Sequence, residues 1–196
     1  MIRVLSIVLV LLVAGGCGRS TPEATSRGVH VRAHDPAQPD KNHAPPTLPD
    51  SIRTRRFIPA YGSIEALARA FLDAIALADA QALRDLLVTE REFQNWLWPE
   101  FPMSDPAMNV PDGFAWRNLA VKSDKGLRRI LREHGGTRYV MQAVRFVEEV
   151  EVYPSFRVRG GTRIDARDGR GAPVTITAAG SVVQLNGHYK FMSYRE

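Results

Sequence analysis

The chain has 196 residues, a formal charge of +5, 44% hydrophobic residues and 24% charged residues, all of which are ordinary for a folded globular protein. This composition excludes a disordered chain and a polytopic membrane protein. It also argues against nucleic-acid binding, because no basic helix, RNP-type aromatic pattern or metal-finger spacing accompanies the mild basic excess. The length fits one domain preceded by a leader and a linker.

Residues 1–16 are predicted to be a signal peptide. A short basic segment precedes an apolar run over residues 4–14, which is too short for a membrane-spanning helix of about 20 residues. Small residues then lead into Cys17, and this AGGC resembles the bacterial lipobox, although the commoner motif has leucine where Ala14 stands. The resemblance implies cleavage before Cys17 and acylation of that residue, for example with palmitate, as a membrane anchor.

Cys17 is the single cysteine of the chain, which excludes an intramolecular disulfide and a cysteine-built metal site. An ordinary secretory signal with a chance cysteine is the alternative to lipidation. The position of Cys17 directly after the apolar run favours lipidation, and therefore an exported chain anchored by lipid to the cell envelope. Gly18 stands where an aspartate would retain lipoproteins in the inner membrane of enteric bacteria. The periplasmic face of the outer membrane is therefore favoured in a Gram-negative host.

Residues 17–56 are predicted to form a disordered, proline-rich tether, because they combine six prolines with polar residues and carry few large apolar side chains. Arg53, Arg55 and Arg56 form a basic cluster at its end. This cluster is either a solvated linker or a contact with anionic lipid or cell-wall polymer. Residues 57–196 are assigned to the folded domain.

The first half of this domain is predicted to be helical. From Ser63, apolar residues recur at three- and four-residue steps, which indicates an amphipathic helix. Asp79 is predicted to cap a second, short helix. Thr89, with Glu92 three residues on, forms a capping box for a third helix that ends by Pro99.

An irregular loop is expected over residues 101–111, and a further helix over residues 114–133 with a break near Ser123. The remaining segments are rich in β-branched and aromatic residues and are predicted to be strands: 139–153, 156–166, 174–185 and 189–194. Helices followed by consecutive strands predict an α+β fold. Its N-terminal helices pack on a curved, mainly antiparallel C-terminal sheet, one face of which is wetter than the other.

Three segments carry a resemblance to the nuclear transport factor two-like superfamily, also called SnoaL-like or ketosteroid-isomerase-like. They are residues 71–74 (FLDA), residues 78–83 (ADAQAL) and the hairpin over residues 180–191. The similarity covers residues 63–195 and rests on element order and hydrophobic pattern. It implies a cone-shaped fold whose mouth is a pocket, used by some members for catalysis and by others for binding. Pairing of two copies through the sheet is also implied.

Three tryptophans lie within about twenty residues and are the least ordinary feature of the domain. Trp96, Trp98 and Trp116 either line the mouth of the cone and stack on a ligand or form a lid packed over the core. Together with Tyr139 and His188 they make up the candidate pocket or lid.

No catalytic residue is assigned from the sequence. A ketosteroid-isomerase-type reaction needs a carboxylate or histidine base and a tyrosine or protonated acid as oxyanion donor. The available bases are Asp79, Glu92, Glu100 and His188, and the available donors are Tyr139, Tyr153, Tyr189 and Tyr194. Spacing selects none of them, and helix capping or a hairpin turn is the better explanation of Asp79, Glu92 and His188.

No metal site or cofactor is predicted. Residues 165–171 (DARDGRG) are similar to a calcium loop, but arginines occupy positions where oxygen ligands are needed, so a charged hairpin turn is the better interpretation.

Three hypotheses of function follow. The first is a membrane-tethered, non-enzymatic accessory module or small-ligand-binding module of the cell envelope. The second is an isomerase, dehydratase or cyclase acting on a small apolar substrate, which the missing acid–base motif makes the weaker of the two. The third is a subunit of an envelope complex, bound through its exposed sheet face. The expected partners are membrane lipid at Cys17 and a small apolar ligand, an envelope protein or a second copy of the chain.

Overall fold

A computed structural model describes residues 50–196 of the chain. Cys17, the signal peptide and most of the predicted tether lie outside the described residues. The described chain begins with five helices: α1 Asp50–Arg53, α2 Ile64–Ala76, α3 Ala80–Asp85, α4 Glu90–Glu92 and α5 Asp112–His134. Within this part of the chain, none of the helices has the length and apolar character needed to cross a bilayer.

The predicted starts of the first three helices of the domain are confirmed by their caps. The Ser63 hydroxyl accepts a hydrogen bond from the backbone N–H of Ala66 at 3.0 Å, at the start of α2. The Asp79 carboxylate accepts two backbone N–H bonds of 2.9 Å at the start of α3. Thr89 and Glu92 form the predicted capping box of α4.

The predicted third helix is short and irregular. Only α4 has α-helical geometry, followed by a π-helical turn, Phe93–Leu97, and a 3₁₀ turn, Trp98–Glu100. Pro99 has no backbone N–H to continue the ladder, which is why the regular helix cannot extend through it. Two further 3₁₀ turns, Pro102–Ser104 and Pro106–Met108, replace part of the expected irregular loop, each with a proline at its start.

Helix α5 is longer than predicted and is continuous at Ser123. The expected break is absent because Ser123 lies on the buried side of the helix, together with Gly126, Leu127 and Ile130. Gly135 ends the helix as predicted.

Seven strands occupy residues 140–191: β1 Val140–Phe146, β2 Val150–Val152, β3 Phe156–Arg159, β4 Thr162–Arg167, β5 Pro173–Ile176, β6 Val182–Leu185 and β7 His188–Phe191. They form a three-stranded sheet in the order β1-β4-β5 and a four-stranded sheet in the order β2-β3-β6-β7, and every pair is antiparallel. The α+β fold with antiparallel strands is thus confirmed.

The three longest predicted strands are each divided in two: 139–153 over residues 147–149, 156–166 at its two glycines, and 174–185 over residues 177–181. Gly160 and Gly161 separate β3 from β4, and a Cβ atom on Gly160 would collide with the side chain of Glu148. Gly161 also has a φ of +62°, which a residue with a side chain rarely adopts. Asn186 and Gly187, with φ of 48° and 77°, form the predicted turn between β6 and β7.

The alternation of buried and exposed residues along β4 confirms that one sheet face is wetter. Thr162, Ile164 and Ala166 are buried, whereas Arg163 and Arg167 on the opposite face are exposed.

The strands and helices enclose two apolar clusters. Cluster one packs α2, α3 and α5 against the three-stranded sheet and the C-terminal residues; its largest members are Leu67, Phe71, Ile75, Leu83, Leu127, Ile130, Ile164, Phe191 and Tyr194. Cluster two packs the segment 93–101 against the four-stranded sheet; its buried members are Phe57, Val88, Phe93, Leu97, Phe156, Val158, Val183, Leu185 and Met192. Strand β7 contributes to cluster one through Phe191, and the adjacent Met192 belongs to cluster two.

Substitution Gly126→Ala is expected to lower the free energy of unfolding by about 1–3 kcal/mol through overpacking. A Cβ atom at this position would lie 2.6 Å from the Arg195 carbonyl oxygen and 2.8 Å from the Tyr194 carbonyl carbon. Gly113→Ala is the matched control in the same helix, because nothing lies within 4 Å of its Cβ position. Urea unfolding measures both variants, and equal stabilities would contradict this account of the packing.

Candidate functional site

The candidate residues Trp98 and Trp116 are brought together around Phe93. The ring centroid of Phe93 lies 5.8 Å from that of Trp98, 5.6 Å from that of Trp116 and 6.2 Å from that of Phe101. Phe101 in turn meets the ring of Phe156, on β3, at 5.5 Å. Side chains of the domain therefore fill the space between the segment 93–101 and the four-stranded sheet.

Trp96 packs against cluster two as well, whereas Tyr139 and His188 lie elsewhere in the domain. Trp96 contacts Phe57, with ring centroids 6.2 Å apart, and lines a separate surface cleft. Tyr139 lies against α2 near Leu72 and Leu77. His188 begins β7. The structure thus does not gather the five candidates into one pocket.

Two of the candidate bases are engaged in holding the backbone. Asp79 caps α3, as described above. Glu100 accepts a hydrogen bond from the backbone N–H of Ser155 at 2.9 Å and a short one from its hydroxyl, which ties the Trp98–Glu100 turn to the loop between β2 and β3. Both carboxylates are therefore occupied by backbone N–H groups.

The candidate histidine has one partner on the chain. The Arg56 Nε atom donates to His188 Nε2 at 3.3 Å, so this nitrogen acts as the acceptor. His188 Nδ1 is buried and has no hydrogen-bond partner within the described residues.

Three of the four tyrosines offered as oxyanion donors are also engaged. Tyr194 donates to the Leu83 carbonyl at 2.7 Å, and burial raises the pKa of its hydroxyl well above the ordinary value. Burial and a 2.5 Å hydrogen bond to Glu151 raise the pKa of Tyr153 to about 12. Tyr139 pairs with His134 at 2.9 Å, and burial is the main cause that lowers the pKa of His134.

The most deeply buried charged group in the described chain is a lysine that the sequence pattern did not single out. Lys190 is fully buried in β7, and its Nζ atom lies 3.2 and 3.1 Å from the two carboxylate oxygens of Glu92, which is itself 6% exposed. Lys190 also donates to the Ile58 carbonyl at 2.9 Å, and Glu92 accepts from the Ile58 N–H at 3.3 Å and the Thr89 N–H at 2.7 Å. A lysine within the apolar run 189–192 was the sequence signal for this pair.

Lys190→Met is expected to lower the free energy of unfolding by about 3–5 kcal/mol, because it leaves the Glu92 carboxylate buried without its partner. Adding Glu92→Gln should restore most of the loss, since glutamine is neutral and still completes a capping box.

Lys125→Met is the matched control. Lys125 pairs with Glu196 at 3.3 Å, but both side chains are exposed, so its loss should cost at most about 1 kcal/mol. Urea unfolding again provides the measurement. A double variant no more stable than Lys190→Met would show that the buried charge is not the cause.

Two clefts of the described domain are lined by candidate tryptophans. An apolar one of about 220 Å³ lies between α5 and residues 87–89, with Trp116, Leu119 and Met192 among its lining residues. This volume is below the roughly 300–1,000 Å³ of most small-molecule sites. The other, of about 480 Å³, lies beside the Glu92–Lys190 pair and is lined by Thr54, Arg55, Arg56, Ile58, Thr89, Arg91, Glu92 and Trp96.

The segment 165–171 is confirmed as a charged hairpin turn. The carboxylate of Asp165 pairs with the Arg145 guanidinium at 2.6 and 2.8 Å, and that of Asp168 accepts the backbone N–H groups of Arg170 and Ala172. Over residues 50–196, no group of histidine, aspartate and glutamate side chains is arranged to hold a metal ion.

Comparison of the chain with family models, with curated proteins and with solved structures finds no significant match in any of the three.

Proposed function

We propose that the protein is a lipid-anchored module of the cell envelope that acts by binding rather than by catalysis. The anchor is Cys17, in the AGGC context described above, and the predicted tether connects it to the α+β domain. A tether of this kind raises the local concentration of the domain near a membrane, which favours a binding or accessory role.

One observation carries the non-enzymatic half of the proposal: the polar side chains suited to acid–base chemistry serve the fold instead. Asp79, Glu92 and Glu100 each accept backbone N–H bonds, and Glu92 also pairs with Lys190. Aromatic side chains occupy the space between the segment 93–101 and the sheet, where a substrate would need room.

A cone of the nuclear transport factor two-like type remains our proposal for the finer architecture. In support, helices precede the sheets along the chain, and α2 contributes Phe71 to the cluster that also contains Phe191 and Tyr194 at the C-terminus. The proposed cone would have its interior occupied by the domain's own side chains.

The two halves of the proposal are tested together in the host, by complementing a strain that lacks the gene. Asp79→Asn, Glu100→Gln and His188→Gln are expected to complement, because they keep size and much of the hydrogen bonding while removing acid–base capacity. Cys17→Ala is expected to fail and to lose both incorporation of a palmitate analogue and membrane association.

Ser6→Ala, within the leader, is the matched control and should behave as the unsubstituted chain. At equal protein levels, a loss of complementing activity of about a hundred-fold or more in Asp79→Asn, Glu100→Gln or His188→Gln would indicate acid–base catalysis and overturn the binding role. Full complementation by Cys17→Ala would overturn the anchor.

A second candidate function, a subunit of an envelope complex, is favoured by the exposed edge strand β2. Val147, Val150 and Val152 are 54%, 38% and 68% exposed, and β2 is at the edge of the four-stranded sheet. Such an edge presents unpaired backbone groups to which a partner strand can add. Glu148, Glu149 and Glu151 interleave these valines and favour a basic partner strand.

A second copy of the chain is the poorer partner for this edge. Antiparallel pairing of two β2 strands centred between Glu149 and Val150 would place Glu148 opposite Glu151, and like charges directly opposite are destabilising.

Val152→Lys is expected to release the chain from a larger assembly, because the added cation would repel a basic partner strand. Native gel migration after detergent extraction of the envelope measures the release. Val121→Lys is the matched control on α5, where the valine is 56% exposed. Identical migration of both variants and the unsubstituted chain would argue against this interface.

A further inference from the structure

The cleft beside the Glu92–Lys190 pair is strongly basic, and we refer to it as the basic cleft. Arg55, Arg56 and Arg91 all line it. Glu92 contributes the only carboxylate among the described lining residues, and Lys190 compensates its charge at 3.1 Å. The guanidinium groups therefore set the charge of the cleft.

The guanidinium groups of Arg55 and Arg91 are free for an external anion. In the described chain, Arg55 and Arg91 make no salt bridge, and Arg56 makes a single hydrogen bond, to the neutral acceptor nitrogen of His188. Guanidinium groups present planar, paired N–H donors that match phosphate oxygens. A phosphate group is the ligand that this chemistry fits best.

The wall formed by residues 52–58 is fixed to the domain. The Asn186 side-chain amide donates to the carbonyls of Ile52 and Arg55 at 2.8 and 3.0 Å. Lys190 holds the Ile58 carbonyl, as described above. The C-terminal end of the segment assigned to the tether therefore lies against the domain and presents its arginines from a fixed backbone.

Apolar side chains accompany the arginines. Ile58 is 79% exposed, and Trp96 is half-buried in the lining of the cleft. Tryptophan beside arginine is typical of protein surfaces that sit at the headgroup level of a bilayer. A site for a free phosphate ion would gain nothing from an exposed isoleucine, so the combination favours the phosphate of a lipid.

We propose that the basic cleft binds the phosphate of anionic lipid headgroups and docks the domain on the membrane surface. Ile58 and Trp96 then contact the interfacial region while the arginines meet the phosphates. The inference rests on the proposed anchor only for bringing the domain close to the bilayer. It adds a second, reversible contact that is separate from the acyl chains.

Docking is measured on the full chain, purified from membranes and reconstituted into vesicles of phosphatidylcholine with or without phosphatidylglycerol. An environment-sensitive fluorophore is attached to Ile58→Cys, which is the only free thiol when Cys17 is acylated. Leu77→Cys, 77% exposed in the unsubstituted chain and in a different cleft lining, carries the control label. We expect the emission of the Ile58→Cys label to report an apolar environment only with phosphatidylglycerol.

The arginines are tested in the same vesicles. Arg55→Gln with Arg91→Gln should lower the ratio of docked to undocked protein about thirty-fold, at roughly five-fold for each arginine near an anionic surface. Arg69→Gln with Arg128→Gln removes the same charge from exposed positions elsewhere and should leave the ratio nearly unchanged.

Three results would overturn the proposal: an equal signal in phosphatidylcholine alone, an equal loss with the control pair, or a response to inorganic phosphate in phosphatidylcholine vesicles. The last would identify a site for free phosphate. Failure of the proposed anchor would look different. Cys17 would then keep a free thiol, so each chain would take up two labels, and the protein would not float with either kind of vesicle.

Discussion

The buried ion pair of Lys190 and Glu92 is the interaction on which the rest of the domain depends. An ion pair taken out of water is tolerated only when each charge meets its partner and its remaining hydrogen-bonding atoms are satisfied. Here the carboxylate receives N–H bonds from Ile58 and Thr89, and the ammonium also meets the Ile58 carbonyl. The pair therefore joins the segment before α2, the start of α4 and the last strand at one point. Cluster two and the basic cleft both lie beside this junction.

Buried and exposed polar groups have different roles in this domain. The buried Glu92 and the half-buried Glu100 hold backbone segments in place, whereas Arg55 and Arg91 carry unpaired charge at the surface of the basic cleft. Buried and satisfied groups specify a structure, and exposed, unpaired groups are available to partners. The same arrangement that weakens the argument for catalysis thus strengthens the argument for recognition at the surface.

Local signals in the sequence predicted the helices well and the site poorly. Ser63, Asp79 and the pair of Thr89 and Glu92 predict helix starts because capping depends on neighbouring residues alone. The continuity of α5 at Ser123 and the division of the strands at Gly160 depend on packing against distant segments, so the local pattern was insufficient. The partner of Glu92 lies 98 positions away in β7, and no spacing rule connects them. The sequence identified the arginines at the end of the predicted tether but not the basic cleft, because the cleft also needs Arg91 and Trp96 from another segment.

Tyr194, which follows the last strand, is one of the buried residues of cluster one. Its fully enclosed ring packs on Phe71, and its hydroxyl binds the Leu83 carbonyl, 111 positions earlier. Cluster one consequently stays incomplete during synthesis until Tyr194 has left the ribosome. Helix α2 therefore lacks one of its buried partners while all seven strands are being synthesised.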